Sequence, residues 1–224
     1  MLILITKKQG IYTISTMIFN TVVYAVGFHF YLKGGNMIKI CNIMVFCFTF
    51  GTILLLNGFH KRTLAAVCST LCVFTVIMGI FHFIMYLYGD VDYSSMEYLG
   101  SVENPAEMFE AEVMLAGLGA IMDVAVTIAA ATGELIRKKP DIKFLSLFRS
   151  GREIGYDIMG TMLSVLLFTF GSGLIPGFLI RMNNDISFLS NIRYHISFEI
   201  CRFLIEVSGL CWQFQFLFLY PQSF

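Results

Sequence analysis

Apolar residues run along this chain in long blocks free of Lys, Arg, Asp and Glu. Ile11 to Leu32 is 22 residues, Ile40 to Phe59 is 20 and Thr63 to Gly89 is 27. A helix rises about 1.5 Å per residue, so each block can cross a hydrocarbon core of roughly 30 Å. Val113 to Gly133 is interrupted only by Asp123, and Ile154 to Ile180 only by Asp157. Tyr194 to Pro221 carries Glu199, Arg202 and Glu206 in its first half and an apolar run in its second, which makes it the weakest of six predicted spans. The pattern predicts an all-α, polytopic transmembrane helical bundle with residues 1–224 as a single integral membrane domain. Within it, 11–89 form an apolar three-helix scaffold half, and 110–221 a half whose three helices carry charges.

Lys7 and Lys8 precede the first block as they would in a signal peptide, but a secretory apolar region is usually about 7 to 15 residues and ends in small residues. This one is longer and ends in aromatic ones, so it is read as a retained first helix. In the fifth block, Gly171-Ser172-Gly173 is followed by Leu174-Ile175-Pro176-Gly177. Proline removes a backbone donor and glycine loosens the turn, so a kink or break is expected between Gly171 and Pro176, with Gly173 and Pro176 as hinge residues. An exit from the membrane near Gly171 is the equal alternative.

Composition agrees with the pattern: 57% of the residues are hydrophobic and 13% are charged, and 15 basic residues balance 15 acidic ones. The balance excludes a strongly basic nucleic-acid binder and an acidic disordered chain. With six alternating spans, the termini, the 60–62 loop and the 134–153 loop share one side and hold ten basic residues against four opposite. The positive-inside rule then places both termini in the cytoplasm. Seven acids and no basic residue fill the outer loop from Asp90 to Glu112, a mouth attractive to cations or simply a solvated loop.

The charges inside spans fall on helical faces. Asp123 shares one with Glu112, Ala116, Gly119, Ala130 and Glu134, small neighbours that let another helix approach and are expected to aim the carboxylate at protein. Ser150, Glu153, Asp157, Gly160 or Thr161, and Ser164 form a similar stripe. His195, Glu199, Arg202, Glu206 and Gly209 form a third, on which Arg202 is spaced to pair with both glutamates of its own helix. Intramembrane charges usually face the bundle interior or a wet cavity, so Asp123, Asp157, Glu199, Arg202, Glu206 and Glu153 are the candidate ion or substrate pathway, each with a structural ion pair or hydrogen bond as the plainer reading. Gly151 and Gly155 form a GxxxG match suited to helix packing.

Other chemistry is missing. The six cysteines include no CxxC pair and read as small buried hydrophobes; HExxH, phosphate-binding, nucleophile-elbow and dinucleotide motifs do not occur. No catalytic residue, metal or cofactor is expected, and no enzyme activity.

Gly119-Ala120-Ile121-Met122-Asp123-Val124-Ala125, Glu134-Leu135, Ser150-Gly151, Ile154-Gly155 and Asp157-Ile158-Met159-Gly160-Thr161-Met162 resemble the signature of the YibE/F-like family of bacterial multi-pass membrane proteins. Glu199-Ile200, Arg202-Phe203-Leu204 and Ser208-Gly209-Leu210 resemble its last shared stretch, so the likeness covers roughly residues 110 to 212. It carries over Asp123, Asp157, Glu199 and Arg202 with Gly119, Gly155 and Gly160, and it implies the bacterial cytoplasmic membrane but no mechanism. Leu163-Ser164-Val165-Leu166 stands where the family commonly has an Asn-Thr pair, and Trp212-Gln213-Phe214-Gln215-Phe216 departs from its usual apolar closing helix.

The resulting expectation is a permease-like transporter of an ion or small solute, with the lipid bilayer as surroundings and a homo-oligomer or a related membrane protein as partner. The alternative is a nonenzymatic scaffold or accessory subunit whose charges satisfy one another across an interface.

Overall fold

The computed structural model describes residues 8–59, 61–89, 93, 104–139, 144–184, 187–190, 192 and 196–219. Six long helices account for nearly all of them: α1 Lys8–Leu32, α2 Met37–Asn57, α3 Lys61–Tyr88, α4 Pro105–Lys138, α5 Phe144–Asn183 and α6 Ser197–Leu219, with a short helical turn at Phe188–Ser190. No strand occurs among the described residues.

Local chemistry sets the helix ends. Between α1 and α2 the chain reverses through Gly34, whose φ of 86° is one that glycine adopts without steric cost. The Asn36 side chain then caps α2 by accepting from the Lys39 amide at 3.1 Å. Helix α4 starts with Pro105, whose missing N–H costs nothing there, and carries Glu107 in its first turn and Arg137 and Lys138 in its last, each complementing the helix dipole.

Five helices contain stretches long and apolar enough to cross a membrane: Gly10–Leu32, Met37–Leu56, Ala66–Tyr88, Pro105–Lys138 and Arg149–Asn183. Helix α6, the expected sixth span, has 23 residues, but its three charges with Gln213 and Gln215 keep it outside that set. Packing, not apolarity, sets its course. Its Phe198 meets Phe109 of α4, Gly209 faces Ile121 of α4 and Ile77 of α3, and Leu210 and Phe214 join Val124 and Ile128 of α4. It therefore runs beside α4 in the same direction.

Helix α4 is the hub, packing on α2, α3, α5 and α6. The main core lies among α2, α3, α4 and α6 and includes Val45, Phe48, Val73, Phe81, Leu118 and Ile205. Burying side chains of this kind away from water is worth about 1.5 to 3 kcal/mol each, but within lipid the driving force is the close packing itself. Helix α1 leans on α2: Tyr24 lies 4.7 Å from Phe48, Thr52 donates to the Asn20 Oδ1 at 3.0 Å, and Gly51 makes room for the Phe19 ring.

Two expectations are corrected. Helix α5 is not broken between Gly171 and Pro176: one helix of 40 residues runs through, with Pro176 inside it. A proline interrupts one backbone bond and crowds the carbonyl four residues back. Here the outlay is confined to one turn, where Gly173 and Gly177 lack side chains, while seven helical residues follow the proline. Nor does the small face of α4 turn towards a neighbouring helix at Asp123. That side chain is exposed, because the bulkier stripe of Leu118, Ile121, Val124 and Ile128 occupies the core on the opposite side of the helix.

Candidate functional site

Arg202 of α6 gathers the densest set of charges. Its Nη2 lies 2.5 Å from the Glu199 Oε2 and its Nε lies 3.7 Å from the Glu206 Oε1, the pairings that the i,i+3 and i,i+4 spacing predicts. Its Nη1 also donates to the Glu112 carboxylate of α4. The third carboxylate went unrecognised in the sequence because it stands 90 residues away and had been assigned to the outer acidic loop. Three carboxylates around one guanidinium leave an excess of negative charge when all are ionised. The group is also semi-enclosed: the Glu206 side chain is 16% exposed and that of Arg202 is 28% exposed. An arginine suits the position because its fork offers several donors in fixed directions and stays charged.

The same face of α6 continues past Gly209 to Gln213, which is fully buried. The Gln213 Nε2 donates to the Ser69 Oγ of α3 at 3.2 Å, while its Oε1 has no hydrogen-bond partner among the described residues. A polar line thus runs along α6 from Glu199 to Gln213, and it ends on a desolvated acceptor.

Asp123 stands apart. It shares a face of α4 with Glu112, eleven residues or about 16 Å earlier along the axis. Between them the face is low: Ala116, Gly119 and Ala120 are half-buried, and a Cβ placed on Gly119 meets nothing within 4 Å. No hydrogen bond or ion pair engages the Asp123 carboxylate among the described residues. Only its backbone carbonyl is used, accepting from the Thr127 hydroxyl at 2.7 Å. Glu134, farther along that face, pairs within its own helix with Arg137 at 2.8 Å and Lys138 at 3.7 Å.

Asp157 and Glu153 are not brought to Arg202. Helix α5 packs through Ile158, Met159, Met162, Leu163 and Leu166 onto α4 and α6, and both acids lie exposed on its opposite side. The glycines divide in the same way. Gly151 and Gly155 are buried, and a side chain on Gly155 would strike the Phe214 ring; Gly160 and Gly173 face open space. His195 lies outside the described residues.

A second polar link, also unrecognised in the sequence, joins α3 to α4. The His82 Nδ1 lies 2.8 Å from the Met78 carbonyl, which can only accept, so this nitrogen carries the hydrogen. The other ring nitrogen lies 3.1 Å from Glu110, whose side chain is 17% exposed. Phe81 and Phe109 flank the link, with Phe198 and Tyr93 stacked beyond them. Burial, the nearby Glu110 carboxylate and Cys201 push the Tyr93 phenol above its ordinary range. Neither His82 nor Glu110 is spaced to announce the pair, because they belong to different helices. No group of three or more His, Cys, Asp or Glu side chains able to hold a metal occurs among the described residues.

Five membrane-length helices, an all-α bundle and charges concentrated on the last three helices define a polytopic helical membrane protein. The family model for YibE/F-like proteins matches residues 1–214, and the chain belongs to that family. The match takes in the first three helices, which the quoted signature residues did not reach. No curated protein and no solved structure matches the chain.

Proposed function

We propose that this protein is a permease of the bacterial cytoplasmic membrane that moves a cation or a cation-coupled small solute. The observation that carries the reading is the surplus of carboxylate around Arg202, drawn from two helices and semi-enclosed between them. An ionised group in a span costs about 2.5 to 3.5 kcal/mol on insertion scales, so chains retain such groups chiefly for ion or solute pathways and for pairing. One arginine satisfies only part of the negative charge. A cation entering the group completes it, and Arg202 keeps the carboxylates from collapsing into mutual repulsion when the cation leaves. Asp123, on the low face of α4 beyond Glu112, is the next acceptor along the helix.

Helix α6 crosses the membrane in this reading, because it runs beside α4 over the same contacts and antiparallel to α3 and α5. Six crossings would set both termini on one side of the membrane, and the excess of basic residues in the loops on that side supports the cytoplasm.

Purified protein in liposomes tests the proposal. Proton and alkali-cation flux under an imposed gradient is expected to exceed that of empty vesicles and to fall at least tenfold in Asp123→Asn and in Glu206→Gln. Flux indistinguishable from empty vesicles across the ion panel, with folded protein shown by its thermal melt, would sink the reading. The scaffold alternative would then be favoured.

A further inference from the structure

A neutral imidazole has one hydrogen fewer than the two contacts of His82 need. Its Nδ1 lies 2.8 Å from the Met78 carbonyl and its Nε2 lies 3.1 Å from the Glu110 Oε1. A carbonyl and a carboxylate only accept, whereas a neutral ring carries a single N–H. Either neutral tautomer therefore serves one acceptor and turns a nitrogen lone pair on the other. Both contacts are hydrogen bonds only when the pair holds one proton more, as imidazolium with carboxylate or as imidazole with carboxylic acid.

The position ties that proton to the fold. His82 stands six residues before the end of α3 at Tyr88, and Glu110 five residues after the start of α4 at Pro105. The contact thus joins two successive helices near the connection between them. The His82 side chain is 58% exposed and takes a proton without the bundle opening, while that of Glu110 is 17% exposed and has no other ion pair among the described residues. Buried Phe81 and Phe109 close the inner side, and a carboxylate deprived of its partner there is costly.

The neighbouring groups do not supply this titration. Cys41 of α2 and Tyr93 lie within electrostatic reach of Glu110, and Cys201 of α6 within reach of Tyr93. Thiols and phenols ordinarily titrate at about 8.5 and about 10, and burial with the Glu110 charge pushes Tyr93 higher still. Lys39 of α2 is exposed, Tyr86 is exposed one turn after His82, and Glu107 stands one turn before Glu110. Glu112, Glu199 and Glu206 are turned to Arg202 of α6. Helix α5 meets α4 farther along, at Val124 and Ile128. Imidazole is the side chain whose charge ordinarily changes between about pH 5 and 8.

We infer that His82 and Glu110 form a proton-binding site that latches α3 to α4. A proton taken from water completes the contact between Nε2 and Glu110 while Nδ1 stays on the Met78 carbonyl. Its return to water breaks one of the two bonds and removes the ion pair. Because the proton belongs to the linked state, the latch contributes stability at low pH and loses it as pH rises. The inference does not rest on the transport reading, since the latch is read from stability and transport from vesicle flux.

The test is unfolding of the full chain by SDS titration in mixed micelles at about pH 5.5 and about pH 8, which span the ordinary imidazole range. The first double-mutant cycle pairs Glu110→Ala with His82→Asn, whose amide still offers a donor to the Met78 carbonyl. It is expected to show a coupling of about fivefold in the folding equilibrium at the lower pH and less than about twofold at the higher. His82→Gln reaches towards Glu110 with an amide that keeps its hydrogens at every pH, so its own cycle with Glu110→Ala is expected to give the same coupling at both. Glu107→Gln and Tyr93→Phe are expected to leave the pH dependence of the first cycle unchanged. The inference is overturned if that coupling is equal at both pH values, if it is absent at the lower, or if either neighbour variant abolishes the dependence. Should His82→Asn fail to fold, wild type must still lose more stability than His82→Gln between the two pH values, and equal losses overturn the inference.

Discussion

Arg202 and Asp157 each interrupt an apolar helix, and the bundle treats them in opposite ways. Arg202 is drawn in and held by Glu112, Glu199 and Glu206, whereas Asp157 is left on the outside of α5 without an ion pair among the described residues. The difference lies in the rest of each helix. On α6 the charges share the side that approaches α4, with Gly209 and Gln213 continuing it. On α5 the five bulky side chains from Ile158 to Leu166 occupy the other side and win the contact with the bundle. A charge within a span therefore follows the larger apolar surface of its own helix. It lies inside only when that surface leaves it there.

The largest effect expected from breaking this contrast is that of Arg202→Leu, which would strand three carboxylates. Removing one partner of a buried ion pair costs 3 to 5 kcal/mol, and the partial exposure of the guanidinium puts the expected loss near about 3 kcal/mol. A drop of several degrees in the thermal melt in detergent would show it, with Arg202→Leu/Glu112→Gln recovering part of the loss. No change in the melt would mean that the cluster is loosely held and solvated. Next comes the inner side of α5. Gly155→Leu must displace the Phe214 ring and is expected to cost about 2 kcal/mol, the usual outlay for overpacking. Gly160→Leu should stay within about 0.5 kcal/mol of wild type. Equal destabilisation by both leucines would erase the distinction between the two sides of the helix.

Asp123→Asn sharpens the contrast at smaller cost, because its carboxylate has no partner among the described residues to lose. Its melt should match wild type to within about 0.5 kcal/mol, and a marked destabilisation would reveal a bond holding the side chain. The smallest effect is predicted for Gln213→Leu. It removes one hydrogen bond to Ser69 and one unpaired acceptor together, changes that nearly cancel, so the melt should move by less than about 1 kcal/mol in either direction. A large loss would show that the Oε1 is normally satisfied by a bound donor.

Much of the fold was legible because uncharged blocks of membrane length have few structural alternatives. The intrahelical pairs of Arg202 were legible for the same kind of reason: spacing along one helix fixes proximity. Glu112 and Gln213 were harder, since their partners lie on other helices and spacing within one helix does not reveal them. The orientation of Asp123 and Asp157 was misjudged by attending to their small and polar neighbours. The competing stripes, Leu118 to Ile128 on α4 and Ile158 to Leu166 on α5, were already present and decide the matter by bulk. Continuity through Pro176 could not be read locally, because one missing backbone bond is outweighed by helical turns on both sides.

That continuity has a mechanical consequence. Forty helical residues make a rod of about 60 Å, roughly twice the hydrocarbon thickness, and even a tilt of about 40° leaves its projection near 46 Å. One or both ends of α5 must then stand clear of the hydrocarbon. Because the helix continues through Pro176 without a break, a push on a protruding end is passed along α5 to the place where Gly155 seats against Phe214 inside the bundle.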